Sequence, residues 1–85
     1  MTTKIKNIPT LDLHGDNLLD LETKVDRFIT QCQAKNLTQI RIMTGKGTGK
    51  ILRAVQKYLK LGNYPFEFEK MSNGQKNEGV LIVYV

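Results

Sequence analysis

The sequence predicts one α/β domain whose strands and helices follow in the order β-α-β-α-β-β. Two segments carry apolar residues at helical spacing, and each follows a short strand-like run. Consecutive strand-helix units have right-handed crossovers and make the first two strands a parallel pair. The last two strand-like runs are joined by one polar loop, which makes them antiparallel. The expected structure is therefore a mixed four-stranded sheet with two helices.

The composition of the 85 residues bounds the kind of protein. Apolar residues make up 40% of the chain and charged residues 25%, which is typical of a single globular domain. The formal net charge of +5 favours an acidic partner, with nucleic acid first. No run is long enough to cross a bilayer, and Cys32 has no second cysteine to pair with. We expect a cytoplasmic protein without a membrane partner.

The N-terminal part predicts a flexible segment, a strand and an amphipathic helix. Residues 1–8 are polar and basic, which leaves residues 9–85 as the folded domain. Residues 10–14 alternate between apolar and polar side chains, as a strand does. Asn17 is expected to cap the following helix and Asn36 to end it. The helical face expected in the core consists of Leu18, Leu21, Val25, Phe28, Ile29 and Cys32.

The C-terminal part predicts three more strands and a second helix. Residues 38–44 read as a strand, and a helix is expected from about residue 49 to 61. Residues 66–71 alternate as a strand, and residues 72–79 read as a polar loop. Residues 80–85 are almost wholly apolar, which predicts an interior strand that is covered on both faces or flanked on both edges.

A glycine-rich turn between the second strand and the second helix is typical of a phosphate-binding site. Glycines let the backbone approach an anion, and the free N–H groups of a helix start point at it. Three residues separate Gly45 from Gly49 and Ile51 follows Lys50, so the turn is neither a Walker A motif nor a dinucleotide fingerprint. The residues expected to bind phosphate are Thr44, Gly45, Lys46, Gly47, Thr48, Gly49, Lys50, Arg53 and Lys57.

The second helix continues the positive charge of this turn. Lys50, Arg53, Lys57 and Lys60 fall within one arc of roughly 80° on a helical projection. No acidic residue occurs between residues 44 and 66. A stripe of one sign favours contact with a phosphate backbone, because surface helices normally mix both charges.

Asp12 and His14 are the candidate catalytic residues. Alternation places Leu11 and Leu13 on one strand face and the acid and the histidine on the other, roughly 6.5–7 Å apart. They lie at the carboxyl end of the first parallel strand, where open α/β sheets bind ligands. His14 can act as general acid or base, and Asp12 can orient it or hold a divalent metal. Asp16 could add an oxygen, but metal ligands stay undetermined at this point.

Two motifs, in this order and spacing, resemble those of the Smr (small MutS-related) domain family. The family carries Leu-Asp-x-His-Gly near its start and [His/Thr]-Gly-x-Gly farther along, which here are residues 11–15 and 44–47. The likeness extends through residues 48–53, with one residue inserted, and through the closing strand at residues 77–85. It covers residues 9–85, and within the family the chain is similar to the C-terminal domain of the MutS2 proteins.

The resemblance implies a fold, an activity and roles for the motif residues. The family fold is a βαβαββ two-layer sandwich, similar to the C-terminal domain of translation initiation factor 3. Family members are nucleases that nick DNA or cleave RNA, or they are nucleic-acid-binding modules. Asp12 and His14 become the catalytic candidates and residues 45–47 the loop that binds the backbone. Thr44 stands where many members have a second histidine.

The preferred interpretation is an endonuclease that selects nucleic acid by structure rather than by sequence. The alternative is a binding module that uses the same basic surface without turnover, and a small-molecule phosphate enzyme is disfavoured because the chain has no room for a lid. No cofactor is certain; a divalent metal such as Mg or Mn is a candidate, and metal dependence stays open. The partner is nucleic acid, in a free-standing protein, in a larger MutS2-like protein or in a ribosome-associated system. DNA or RNA, the nucleophile and the oligomeric state stay open.

Overall fold

A computed structural model describes residues 8–85, so residues 1–7 of the expected flexible segment lie outside it. The order β-α-β-α-β-β is confirmed, with one additional short 3₁₀ turn before the first helix. The elements are β1 (Thr10–Asp12), the 3₁₀ turn (Leu18–Asp20), α1 (Leu21–Ala34), β2 (Gln39–Met43), α2 (Lys50–Leu61), β3 (Phe66–Lys70) and β4 (Lys76–Tyr84). No helix within residues 8–85 has the length and apolar character needed to cross a membrane.

The four strands form one mixed sheet in the order β1-β2-β4-β3. The predicted parallel pair is confirmed between β1 and β2, where Leu11 lies opposite Ile42. The predicted antiparallel pair is confirmed between β3 and β4, and β4 is also antiparallel to β2. The closing strand is therefore flanked on both edges, as its apolar run predicted.

The core lies between the sheet and the two helices. Leu13, Leu81 and Val83 are fully buried on the sheet side, and Val55 and Leu59 of α2 are equally buried against them. Burial of this apolar surface is the main favourable term for a domain of this size. The remaining members of the core are Leu21, Val25, Ile29, Cys32, Ile40 and Ile42.

Two strand boundaries differ from the sequence-based expectation by two residues or more. β1 ends at Asp12 rather than His14, because the chain turns at Gly15, which has φ +78°, and Asp16 N–H donates to Leu13 O at 3.0 Å. β4 begins at Lys76, so only a short turn joins it to β3 and the predicted loop over residues 72–79 is wrong in its second half.

Leu18 does not join the core as predicted and is 49% exposed. The reason is that Asn17 caps the 3₁₀ turn rather than α1 itself: its Oδ1 accepts from Leu19 N–H at 3.0 Å and Asp20 N–H at 3.4 Å. The buried face of α1 therefore begins at Leu21. The predicted stop at Asn36 is confirmed by its left-handed φ of +63°.

Candidate nucleic-acid interface

The two motifs meet at the carboxyl ends of the parallel strands β1 and β2. Together they line an open depression of about 400 Å³, which we call the glycine cleft. One wall is formed by His14, Gly15 and Asp16, and the other by residues 44–52, which include the glycine turn (residues 44–50) and the start of α2. Of the predicted catalytic pair, His14 faces this cleft, and Asp12 is not among the residues that line it.

Gly45 joins the two walls of the glycine cleft. Its φ is +77°, and a Cβ built on it would lie 3.1 Å from the Cβ of His14. The amides of Thr44 and Gly45 both donate to the carbonyl of Gly79 on β4, at 2.8 and 3.1 Å. The Thr44 hydroxyl is buried and can donate to the Gly45 carbonyl at 3.3 Å or to the same Gly79 carbonyl at 3.4 Å. These bonds fix the base of the turn against β4, so Thr44 supports the cleft from below.

Asp12 and His14 form a bonded pair. Asp12 Oδ1 lies 2.5 Å from His14 Nδ1 and also accepts the His14 backbone N–H at 3.1 Å. The side-chain hydrogen bond raises the pKa of His14 and lowers the pKa of Asp12. Both side chains are more than half exposed. With Nδ1 engaged, Nε2 is the ring nitrogen left for proton transfer to a bound molecule.

Asp16 lies in the wall of the glycine cleft, but its carboxylate is already paired. Lys24 Nζ on α1 donates to Asp16 Oδ2 at 2.7 Å. Within residues 8–85, no three His, Cys, Asp or Glu side chains come close enough to share one metal ion. The carboxylate of Asp12 is likewise engaged, through its hydrogen bond to His14.

The upper part of the glycine turn presents free backbone donors. The amides of residues 46–49 make no backbone hydrogen bond to any residue in the range 8–85. Gly49 caps α2 in the left-handed region at φ +82° and contributes no side chain, and the first turn of α2 contains no acidic residue. A weak bond of 3.4 Å joins Lys50 N–H to Thr48 Oγ1. Such a helix start attracts anions through its N–H groups and its dipole.

The basic residues of α2 that follow Lys50 form a separate surface beside the glycine cleft. Arg53, Gln56, Lys57, Lys60 and Leu61 line a shallow depression of about 380 Å³, the basic groove. The guanidinium of Arg53 reaches back toward the turn, since its Nη1 would lie 3.1 Å from a Cβ at Gly49. The structure thus places Lys46 and Lys50 in the cleft, and Arg53 and Lys57 in the adjoining groove.

Glu78 is a site residue that the sequence analysis missed. It lines a depression of about 260 Å³, the Glu78 cleft, together with residues 45–49 and Leu52. The Glu78 cleft shares those six residues with the glycine cleft, so the turn separates His14 from Glu78. The glycine that follows Glu78 at the start of an apolar strand was the available signal, because such a glycine often marks a bulge or a close backbone approach.

Comparisons with known proteins agree with this geometry. The family model of the Smr domain matches residues 11–85. The solved Smr domain of Thermus thermophilus MutS2 superposes with a TM-score of 0.76 at 26% identity, covering 91% of this chain and 96% of that one. The arrangement of strands and helices is therefore similar to that of a known domain.

Curated relatives named Endonuclease MutS2 match over most of this chain. The protein from Acetivibrio thermocellus is 34% identical over 82 residues, covering 95% of this chain and 10% of its own. The protein from Exiguobacterium sibiricum is 36% identical over 74 residues, covering 86% of this chain and 9% of its own. This chain thus spans about a tenth of the length of these relatives, and the likeness concerns one domain of each.

Proposed function

The chain belongs to the Smr domain family, and from this premise we propose that it is an endonuclease that breaks phosphodiester bonds in DNA or RNA. The observation that carries the proposal is that His14 and the glycine turn line one and the same cleft. Free amides and lysines on one wall can hold a phosphate, and a titratable ring on the other can exchange protons with it. The relatives named as endonucleases support the same activity class.

The phosphate binds across the amides of residues 46–49 at the positive end of α2, and Lys46 and Lys50 add charge. His14 Nε2 then takes a proton from the attacking nucleophile, which is water or, in RNA, the ribose 2′-hydroxyl, or it gives a proton to the leaving oxygen. Asp12 fixes the tautomer and the direction of the ring through Nδ1. The basic groove follows the backbone beyond the cleft, so selection depends on the shape of the nucleic acid rather than on its sequence.

A non-catalytic nucleic-acid-binding module is the second candidate function. Thr44 occupies the position where many family members carry a second histidine, and its buried hydroxyl is bonded to backbone carbonyls and cannot replace an imidazole as acid or base. The basic groove and the glycine turn would bind a phosphate backbone equally well without chemistry. Either function suits a cytoplasmic domain that acts alone, in a larger MutS2-like protein or in a ribosome-associated system.

Substitution of the bonded pair separates the two functions. We expect His14→Ala to abolish cleavage of DNA and RNA oligonucleotides and to leave their binding nearly unchanged, because the lysines supply the attraction. Asp12→Asn should lower the rate about 10²–10⁴-fold if the carboxylate orients a general acid or base. The measurement pairs a nicking and RNA-cleavage assay with fluorescence anisotropy. Full activity in both variants would leave the binding module as the better description.

Cleavage in EDTA tests the role of Asp12. Because Asp12 and Asp16 are engaged with His14 and Lys24, we expect the activity to persist when divalent ions are chelated. Loss of activity in EDTA, restored by Mg²⁺ or Mn²⁺, would instead assign Asp12 to a metal.

A further inference from the structure

Glu78 is held at the glycine turn by a bulge in β4. The register between β3 and β4 passes from Phe68–Leu81 to Glu69–Asn77, which leaves residues 78–80 without partners on β3. Gly79 N–H donates to Asn77 Oδ1 at 3.1 Å, and its carbonyl accepts the two amides at the base of the turn. Bulges of this kind redirect side chains beside functional sites.

The charge of Glu78 conflicts with a site that binds phosphate alone. It is exposed, it makes no side-chain hydrogen bond or ion pair with any residue in the range 8–85, and Lys46 lines the same cleft. An ionised carboxylate can only accept hydrogen bonds. The phosphate and the sugar of DNA also offer only acceptors along the backbone, so a DNA strand on the glycine turn would meet repulsion at this point.

RNA differs from DNA at the position that this carboxylate can use. Each ribose carries a 2′-hydroxyl on the carbon next to the one that bears the 3′-phosphate, and this hydroxyl can donate a hydrogen bond. A phosphate bound to the amides of residues 46–49 brings such a hydroxyl to within one sugar of the turn. The Glu78 cleft lies within that reach, because it shares the turn with the glycine cleft.

We propose that Glu78 is a specificity residue that accepts a hydrogen bond from the ribose 2′-hydroxyl beside the bound phosphate and thereby makes RNA the preferred partner. The inference rests on the proposed function, because it requires a phosphodiester on the glycine turn. In this proposal Glu78 distinguishes RNA from DNA by the sugar-phosphate backbone and not by the bases. This agrees with the lining of the two clefts, which includes no aromatic side chain that could stack on a base.

The test measures binding of matched probes by the 85-residue chain carrying His14→Ala, which removes cleavage. The probes are single strands of one base sequence made as RNA, as 2′-fluoro RNA and as DNA with deoxyuridine. The fluoro probe keeps an RNA-like sugar but loses the donor. We expect RNA to bind about tenfold more tightly than the other two, as for one hydrogen bond to a charged group. Glu78→Ala should remove this difference, and Glu78→Gln should keep part of it because the amide oxygen still accepts.

Glu22→Ala is the matched control, since it removes one exposed acid from the first turn of α1. It should leave the RNA-to-DNA ratio unchanged. An RNA-to-DNA affinity ratio that is unchanged in Glu78→Ala overturns the inference. If RNA and DNA both bind more tightly by the same factor, this ratio is also unchanged, and Glu78 acts only by repelling the nucleic acid. Either result leaves the proposed function standing. Absence of binding to all three probes would overturn the proposed function and this inference with it.

Discussion

His14 is the only histidine in the chain, which makes its titration directly measurable. The bond to Asp12 raises the pKa of His14, so the imidazolium should persist to a higher pH than in an exposed histidine. Asp12→Asn removes the charged partner and should lower the titration midpoint of the ring. An NMR titration of its one set of imidazole signals, alongside the pH dependence of cleavage, measures both. Identical midpoints in the two proteins would contradict the pairing.

The same pair sets the sign of a small pH dependence of stability. The raised pKa of His14 gives a contribution that is complete below the unfolded pKa of histidine and is lost as pH rises through the folded value. The lowered pKa of Asp12 gives a contribution that is present above the unfolded pKa of aspartate and is lost as pH falls through the folded value. The ion pair therefore stabilises the fold only between these two limits.

Two glycines of the turn should respond differently to alanine. Gly45 has φ +77° and its Cβ would crowd His14, so Gly45→Ala should cost about 1–2 kcal/mol in stability and disturb the cleft. Gly47 has open space around it, so Gly47→Ala should change stability by less than about 0.5 kcal/mol and still weaken binding where the phosphate approaches. Urea denaturation and anisotropy measure the two effects.

Gly74→Ala is the control for strain alone, because Gly74 has φ +86° in the turn between β3 and β4 with nothing within 4 Å. It should lower stability without weakening binding per folded molecule. Wild-type affinity in Gly47→Ala would mean that the anion does not approach the turn closely.

Features that depend only on neighbouring residues could be predicted from the sequence. Alternation gave the shared face of Asp12 and His14, and the left-handed preference of asparagine gave the stop at Asn36. The sequence left open whether Asp12 orients His14 or holds a metal, and in the structure the two side chains are directly bonded. Glu78 was missed because it reaches the glycine turn only through the pairing of β4 with β2, which links residues far apart in sequence.

The basic surface at the start of α2 should govern the salt dependence of binding. Replacing Lys46, Lys50 and Arg53 together by alanine should lower affinity and reduce the slope of log K against log salt by roughly one unit per lost phosphate contact. Affinities measured by anisotropy across a salt series give this slope. If the salt slope of the triple variant equals that of the wild type, the binding face lies elsewhere on the molecule.

A matched triple variant corrects for net charge. Arg27, Lys35 and Lys70 lie on or beside α1 and β3 and line neither cleft nor the basic groove. Their replacement by alanine removes the same charge and should leave most of the slope intact. If the salt slope falls by a similar amount in both triple variants, binding reflects the general attraction of a basic protein rather than one defined surface.

The boundaries of the strands and helices could be predicted only in part, for physical reasons. α2 matched the expectation because glycines bracket an amphipathic run, at Gly49 and Gly62. β4 extends farther toward its N-terminus than its apolar run, since Lys76 and Asn77 pair with β3 despite their polar side chains. Tertiary pairing thus outweighs local polarity at the start of this strand.

In the molecule as a whole, the site is assembled from three parts of the chain. His14 follows β1, the glycine turn follows β2, and Gly79 on β4 holds the turn in place. The central position of β4 in the sheet means that the cleft exists only when the whole sheet has formed. Stability and binding should therefore be coupled through one folding transition, as in most small domains.

A cavity in the centre of the core tests this coupling. Leu81 is fully buried on β4, opposite Ile42 and Phe68, so Leu81→Ala should destabilise the fold by about 2–5 kcal/mol. Leu19 is 91% exposed on the 3₁₀ turn, so Leu19→Ala should change stability by less than about 0.5 kcal/mol. Urea denaturation gives both values.

Binding by Leu81→Ala should fall only in proportion to the unfolded fraction, because the cleft is intact in each folded molecule. A greater loss of binding than of folded protein would show that the cleft loosens before the core does, against a single cooperative transition.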